Sequence, residues 1–186
     1  MKRLLHILIC ISVVFILQGC TNEEQVTVEL IEYHNNGWRT FQKMKKEKVK
    51  PIASKSISLV LEENDQGIEI VIKEELLRVL NEMVEHLESI QLKTKEVQNL
   101  KQLEIEAERF NYDDFKEAAN ILDNGNADEI DAMYEQFGES NKELEEKYDE
   151  IEDEREKLME KYDVEFIVDY DEDGNRVMEM VRKEED

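Results

Sequence analysis

The chain has 186 residues, of which 24 are basic and 47 acidic, so its net charge near neutral pH is −23. A field of this sign repels nucleic acid, anionic lipid and anionic wall polymers from the body of the protein, and it favours cations, cationic peptides or simple solubility. Apolar residues make up 40% of the chain, which is more than an acidic disordered tail carries, so we expect one domain with a hydrophobic core.

The N-terminus has the composition of an export signal. Lys2 and Arg3 form a short basic start, and residues 4–17 are almost wholly apolar. Basic residues stay on the cytoplasmic side while an apolar run enters the bilayer. The run has 14 residues, fewer than the ~20 that a helix needs to span the hydrocarbon core. We therefore expect a cleaved signal rather than a membrane-spanning anchor.

The apolar run ends in Leu17-Gln18-Gly19-Cys20. This motif resembles the lipobox of bacterial lipoproteins. The resemblance implies that residues 1–19 are a signal peptide that is removed. It also implies that the Cys20 thiol carries a diacylglyceryl group with acyl chains such as palmitate. Residues 20–25 would then tether the domain to the extracytoplasmic face of the cell membrane.

That cleavage sets the cysteine content of the mature chain. Cys10 leaves with the signal and Cys20 carries the lipid, so no thiol remains for a disulfide, a thiolate metal site or a nucleophile. The 167 remaining residues would carry 22 basic and 47 acidic side chains, a net charge of −25. An exported chain without disulfides and rich in Lys, Glu, Ile and Asn is typical of Gram-positive surface proteins. We expect no cofactor.

Apolar residues recur three to four apart over most of residues 26–163, which predicts a mainly α fold, an antiparallel bundle of long helices. The first helix is expected over residues 26–50, with a weak point at Asn35-Asn36-Gly37. Pro51 should end it, because proline disfavours helical geometry at the residue before it.

Residues 55–72 allow two interpretations. Apolar residues alternate on both sides of a turn at residues 64–67, which favours a β-hairpin. A longer helical period begins at Ile68 and favours a short helix over residues 52–63, the turn, and a long helix from Ile68 to about Phe110, softened near Thr94 and Lys95. We adopt the helical interpretation and keep the hairpin as the alternative.

The second half of the bundle is predicted as a short helix over residues 113–122 and a long one over residues 128–162. Gly125 should end the first in a left-handed conformation. From Phe137 the apolar steps alternate between four and three residues, which is a heptad pattern. A coiled-coil homodimer would bring many acidic side chains and Arg155 together, so we expect packing inside the chain and a monomer.

Residues 164–186 change character, and their alternating apolar residues predict a small C-terminal β-hairpin or an extended acidic tail. Residues 169–175 resemble the start of an EF-hand calcium loop, which implies that Asp169, Asp171 and Asp173 are metal ligands. The twelfth place of that loop holds Met180 rather than glutamate. A hairpin turn without metal is therefore favoured, and weak calcium binding is kept as the alternative.

The other candidate residues lie in no catalytic pattern. His34 and His86 have no neighbouring histidine or cysteine in the mature sequence, and Trp38 lies on the apolar face of the first helix, which favours core packing. Residues 39–55 hold seven basic side chains against Glu47 alone. This stretch would either touch anionic headgroups, or lie along the acidic last helix or in solvent; we favour the second.

The sequence thus predicts a non-enzymatic, membrane-anchored surface lipoprotein that binds a protein or another component of the cell envelope. The alternative is a module that binds or senses a cation through residues 169–175. Beyond the lipobox, the long acidic helices resemble those of cell-wall-binding helical lipoproteins of Bacilli. That resemblance covers composition and helix length only, and no functional residue is carried over from it.

Overall fold

The computed structural model describes residues 22–170 and 176–184, with the backbone alone at 137 and 138. The expected signal peptide, Cys20, and the candidate calcium ligands Asp171 and Asp173 lie outside the described residues. Within the described part, four long helices are followed by a two-stranded antiparallel hairpin, which confirms the predicted mainly α fold. No helix in that part is both long and apolar enough to cross a membrane.

Helix α1 runs without interruption from Asn22 to Leu61. Its α-helical stretches are Asn22–Glu32, Arg39–Met44 and Lys50–Leu61, and its π-helical turns are Tyr33–Trp38 and Lys45–Val49. The predicted weak point at Asn35-Asn36-Gly37 is a π-helical turn rather than a break. Gly37 belongs there because a Cβ at this position would lie 2.7 Å from Cδ1 of Ile90, in the segment that follows the second helix.

The prediction that the first helix ends before Pro51 is wrong. Pro51 instead lies inside the continuous helix α1, directly after the second π-helical turn and at the second residue of the Lys50–Leu61 stretch. In a regular α-helix the proline ring would meet the carbonyl four residues back. Here the turn before the proline is the π-helical Lys45–Val49, and Lys50 keeps helical angles of φ −57° and ψ −42°.

Helix α2 begins after the N-cap Asn64, whose side chain accepts from the Gly67 N–H at 2.9 Å. It comprises Asp65–Val71, the π-helical turn Ile72–Leu76 and Leu77–Ser89. Residues 55–72 are therefore helical apart from a short turn, and the β-hairpin alternative is wrong.

Helix α3 spans Lys95–Asn124. The predicted single helix from Ile68 to Phe110 is wrong, because the chain leaves helical geometry at Ile90 (φ −72°, ψ 118°). The predicted short helix over residues 113–122 is the end of α3 rather than a separate element.

The break between α2 and α3 is stabilised by a residue of α1. The Glu29 carboxylate accepts hydrogen bonds from the backbone N–H groups of Lys93 at 2.6 Å and Thr94 at 2.7 Å, and from the Thr94 hydroxyl. Burial alone would raise the pKa of Glu29, but the hydrogen bonds from Thr94 and Lys93 outweigh it and lower that pKa. The break thus depends on a contact between residues 65 positions apart.

Replacing Glu29 by Ala should lower the free energy of unfolding by about 1–2 kcal/mol near pH 7, the usual cost of removing a helix cap. Because the folded state lowers the pKa of Glu29, its contribution is present above the ordinary pKa and is lost as the pH falls through the folded value. Urea denaturation near pH 7 and pH 3 measures both effects. The control is Glu32→Ala, an exposed site on α1. Equal losses in the two variants near pH 7 would contradict the capping role.

Helix α4, Ala127–Lys161, agrees with the predicted 128–162. A capping box starts it, since Asn126 and Glu129 each accept from the other's backbone N–H. The left-handed conformation predicted for Gly125 is wrong, because its φ is −75°. Glycine is needed there for space instead: a Cβ would lie 2.5 Å from the carbonyl oxygen of Ile121.

Ion pairs between neighbouring helices show that the bundle is antiparallel. As one partner advances along the chain the other retreats, in Lys48–Glu82 and Lys55–Glu75 between α1 and α2, and in Arg109–Glu88 and Lys73–Asp123 between α2 and α3. The heptad residues of α4 follow the same rule against α3, through Arg155–Glu104 and Tyr148–Glu108. The heptad of α4 thus packs against another helix of the same chain.

The interior holds two hydrophobic clusters. The first surrounds Trp38, Phe41, Leu76, Leu80, Met83 and Leu87, and the second surrounds Val26, Leu30, Val97, Leu100, Ile151 and Leu158. The described residues thus contain both clusters.

The C-terminal hairpin confirms the predicted strands. Strand β1, Val164–Tyr170, pairs antiparallel with β2, Arg176–Arg182, with Val164 opposite Arg182. The Asn35 side chain holds β2 on α1: it accepts from the Met180 N–H and donates to the Met180 carbonyl, both at 2.8 Å. The hairpin is therefore fixed against the middle of the first helix.

Candidate functional site

A cationic cleft of about 530 Å³ opens between α1 and the start of β2. Among the described residues, its charged lining is Arg39, Lys43, Lys46 and Arg176, with Glu47 as the one acidic side chain. The rest of the lining is His34, Trp38, Gln42, Val177 and Met178. A volume of this size lies within the range of about 300–1,000 Å³ that is usual for small-molecule sites. The cleft is a positively charged region on a chain whose net charge is −23.

The cleft is assembled from two parts of the chain that lie far apart in the sequence, since Arg39 and Met178 are 139 positions apart. The α1 residues 39, 43 and 46 are four and three positions apart and so share one helix face. The Asn35–Met180 hydrogen bonds bring the strand residues against that face. Arg39 Nη2 adds a long contact of 3.4 Å to the carbonyl oxygen of Met178.

Arg39 has an unsatisfied donor at this site. Its Nε is buried and has no hydrogen-bond partner among the described residues. Buried donors are nearly always paired, because an unpaired one loses its hydration without compensation.

The inner wall of the cleft is aromatic. Trp38 is 8% exposed and stacks on Phe41, with centroids 4.7 Å apart and an interplanar angle of 14°. The predicted core packing of Trp38 is thus confirmed, although its edge reaches the cleft. The His34 ring lies 4.8 Å from that of Phe166. Burial, with the charges of Arg155 and Arg39, lowers the pKa of His34 to about 4, so this ring is neutral at physiological pH.

Behind Trp38 lies a buried polar network that joins three helices. Arg155 of α4 stacks over the Trp38 ring with its guanidinium carbon 5.0 Å from the centroid, and its Nη2 donates to Glu104 Oε1 at 2.9 Å. Tyr33 of α1 donates to the other oxygen of Glu104, and Arg155 Nη1 donates to Glu152. Glu104 is 1% exposed. Burial raises the pKa of Glu104 to about 7, although Arg155 and Tyr33 oppose that rise.

A second buried carboxylate lies one helical turn further along α3. Glu108 accepts from the Tyr148 hydroxyl at 2.5 Å, and Lys45 donates to the same hydroxyl at 3.0 Å. Burial and the nearby carboxylate raise the pKa of Tyr148 above its ordinary range. Neither Glu104 nor Glu108 lines the cleft. A ligand in the cleft would therefore touch the network only through the Trp38–Arg155 stack.

The raised pKa of Glu104 predicts a pH dependence of stability. Between its ordinary pKa of 4.5 and about 7 the folded state holds a proton that the unfolded state releases. The free energy of unfolding should therefore fall as the pH rises through that window, by about 1 kcal/mol per pH unit. Glu104→Gln, which keeps the shape and has no proton to lose, should flatten this part of the profile. Denaturation from pH 4.5 to 8 measures it, and identical slopes in the two proteins would contradict it.

The basic stretch of residues 39–55 is divided between the cleft and structural pairs. Lys48 and Lys55 pair with α2, at 2.8 Å from Glu82 and 2.5 Å from Glu75, and Lys45 joins the buried network. In the described part of the chain, Lys45 contacts the acidic last helix through Tyr148, whereas Lys43, Lys46 and Lys50 are exposed to solvent. Within the described residues, Arg39 and Lys46 form no ion pair, and Lys43 forms only a long one of 3.9 Å with Glu47.

The candidate calcium ligands are only partly placed. Asp169 lies exposed in β1 opposite Val177, and Asp171 and Asp173 fall outside the described residues. No group of three His, Cys, Asp or Glu side chains suited to a metal occurs in the described ranges, which do not include that turn. Calcium binding stays a prediction.

No family model, curated protein or solved structure matches this chain. The cleft and the network are therefore interpreted from their own chemistry.

Proposed function

We propose that this chain is a non-enzymatic lipoprotein, anchored through Cys20 to the extracytoplasmic face of a Gram-positive cell membrane, which binds an anionic component of the cell envelope. The cationic cleft between α1 and β2 is the observation that carries this proposal. Four basic side chains converge there against one carboxylate, on a protein that otherwise repels anions.

A binding role fits the chemistry of the cleft better than catalysis does. The two carboxylates with strong hydrogen-bond partners are buried behind Trp38 and do not line it. The histidine that lines it, His34, is a weak base because its pKa is lowered to about 4, and the described lining holds no serine, threonine, cysteine or aspartate. The cleft therefore offers charge and apolar contact without a general acid–base pair.

The anchor and the cleft would work together through α1. This helix begins two residues after Cys20. At a rise of about 1.5 Å per residue, His34 lies ~18 Å and Lys46 ~36 Å along the helix from Asn22. Lipid on Cys20 would thus keep the cleft close to the membrane and on its outer side.

Binding of purified residues 21–186 to isolated cell envelopes tests the proposal. The double variant Lys43→Glu/Lys46→Glu should bind at least tenfold more weakly, because it reverses two charges of the cleft. The matched control is Lys50→Glu/Lys95→Glu, which changes the net charge equally at two exposed sites outside the cleft. Equal loss in both variants would show a general charge effect and would contradict a role for the cleft.

A further inference from the structure

We infer that the ligand of the cationic cleft is a small organic phosphate, a phosphate group joined to an apolar group. The inference rests on the proposed function, since it names the class of ligand for the same cleft.

The charge of the cleft favours phosphate over a single carboxylate. Among the described lining residues, Arg39, Lys43, Lys46 and Arg176 face Glu47 alone, an excess of three positive charges. A carboxylate neutralises one of them. A phosphate monoester carries about −1.5 to −2 near neutral pH and has three acceptor oxygens, so it can take hydrogen bonds from α1 and from β2 at the same time.

Arg39 is the residue best placed to anchor that group. Its Nη2 has only the long 3.4 Å contact to the carbonyl oxygen of Met178, and the side chain forms no ion pair within the described residues. The planar guanidinium fork matches two phosphate oxygens, which a lysine ammonium cannot do. Arg39 thus presents an unused donor with the geometry that a phosphate requires.

The size and the surroundings of the cleft indicate the rest of the ligand. About 530 Å³ is more than one phosphate group fills, and Val177, Met178 and the edge of Trp38 supply an apolar wall. A long polyanion would extend beyond the cleft onto the rest of the protein, whose net charge of −23 would repel it. A compact molecule that fits inside the cleft avoids that repulsion.

Fluorescence titration tests the inference, because Trp38 is the only tryptophan of the chain and lines the cleft. The ligands are phenyl phosphate, benzoate, inorganic phosphate and vesicles containing phosphatidic acid, added to residues 21–186. Phenyl phosphate should give a saturable change and bind at least tenfold more tightly than benzoate or inorganic phosphate. Saturation by the vesicles alone would identify a lipid headgroup as the source of the same phosphate chemistry.

Variants at Arg39 distinguish the contribution of its two-pronged hydrogen bonding from that of its positive charge. Arg39→Lys keeps the charge and should weaken phenyl phosphate binding at least tenfold, and Arg39→Gln should weaken it further. Lys50→Gln, outside the cleft, should leave the binding unchanged. Circular dichroism checks that each variant folds. Equal binding of benzoate and phenyl phosphate, or no saturable change with any phosphate, would overturn the inference. If envelope binding still depended on Lys43 and Lys46, and phenyl phosphate did not compete, the ligand class would fail while the proposed function stood.

Discussion

Replacing Arg155 by Met should lower the free energy of unfolding by about 3–5 kcal/mol near pH 8, the cost of leaving a buried charge without its partner. Arg155 donates to Glu104 at 2.9 Å, and Glu104 is almost completely buried in the bundle. Methionine keeps a flexible apolar chain against Trp38, so the loss comes from the unpaired carboxylate rather than from a cavity. Near pH 5 the loss should be smaller, because Glu104 can take up a proton.

Two variants test this explanation by urea denaturation. Glu104→Gln/Arg155→Met removes the stranded charge together with its partner and should recover most of the stability. Lys157→Met, an exposed site two residues further along α4, should change the free energy of unfolding by less than about 0.5 kcal/mol. A double variant as unstable as Arg155→Met would mean that packing of the arginine, and not its charge pair, stabilises the bundle.

Helical periodicity predicts which segments of this chain are helical, but not where the helices end. The helical pattern that begins at Ile68 predicts one helix to about Phe110, because both α2 and α3 bury apolar faces. The break between them is fixed by Glu29, a residue of another helix. Pro51 shows the opposite error: a residue that breaks a regular helix is tolerated where the preceding turn is π-helical. Both outcomes depend on the arrangement of the whole bundle.

The sequence indicates which charged residues of the network are buried, but it does not indicate which of them pair. Arg155 is a charged residue at an apolar heptad position, which points to a buried partner. Glu104 lies four residues after Leu100 and three before Ala107, so it is also on a buried stripe. Periodicity alone could therefore have identified both residues as buried charges. Their pairing needed the antiparallel register of α3 and α4.

The cleft was harder to predict because one of its walls comes from the C-terminal hairpin. The basic stretch of α1 is plain in the sequence, but Lys45, Lys48 and Lys55 turn out to be structural while Arg39 and Lys46 face the cleft. Arg176, Val177 and Met178 carry no motif. Their place at the site follows from the Asn35–Met180 hydrogen bonds, a contact between residues 145 positions apart.

Replacing Cys20 by Ser should release the protein from the membrane almost completely. The expectation rests on Leu17-Gln18-Gly19-Cys20, which lies outside the described residues. Each buried methylene of an acyl chain contributes about 0.8 kcal/mol to membrane binding, so two chains on one residue make anchoring nearly permanent. Serine has no thiol with which to form the thioether.

Labelling cells with a fatty-acid probe, followed by separation of membrane and soluble fractions, measures this effect. The wild-type chain should carry the label and sediment with membranes, whereas Cys20→Ser should lose both properties. Cys10→Ser is the matched control, because Cys10 belongs to the segment expected to be removed and its loss should change neither property. Label that persists in Cys20→Ser would refute the lipidation site. If Cys20→Ser carries no label but still sediments with membranes, another contact holds the domain there. Adding the substitutions Lys43→Glu and Lys46→Glu would then show whether that contact is the cationic cleft.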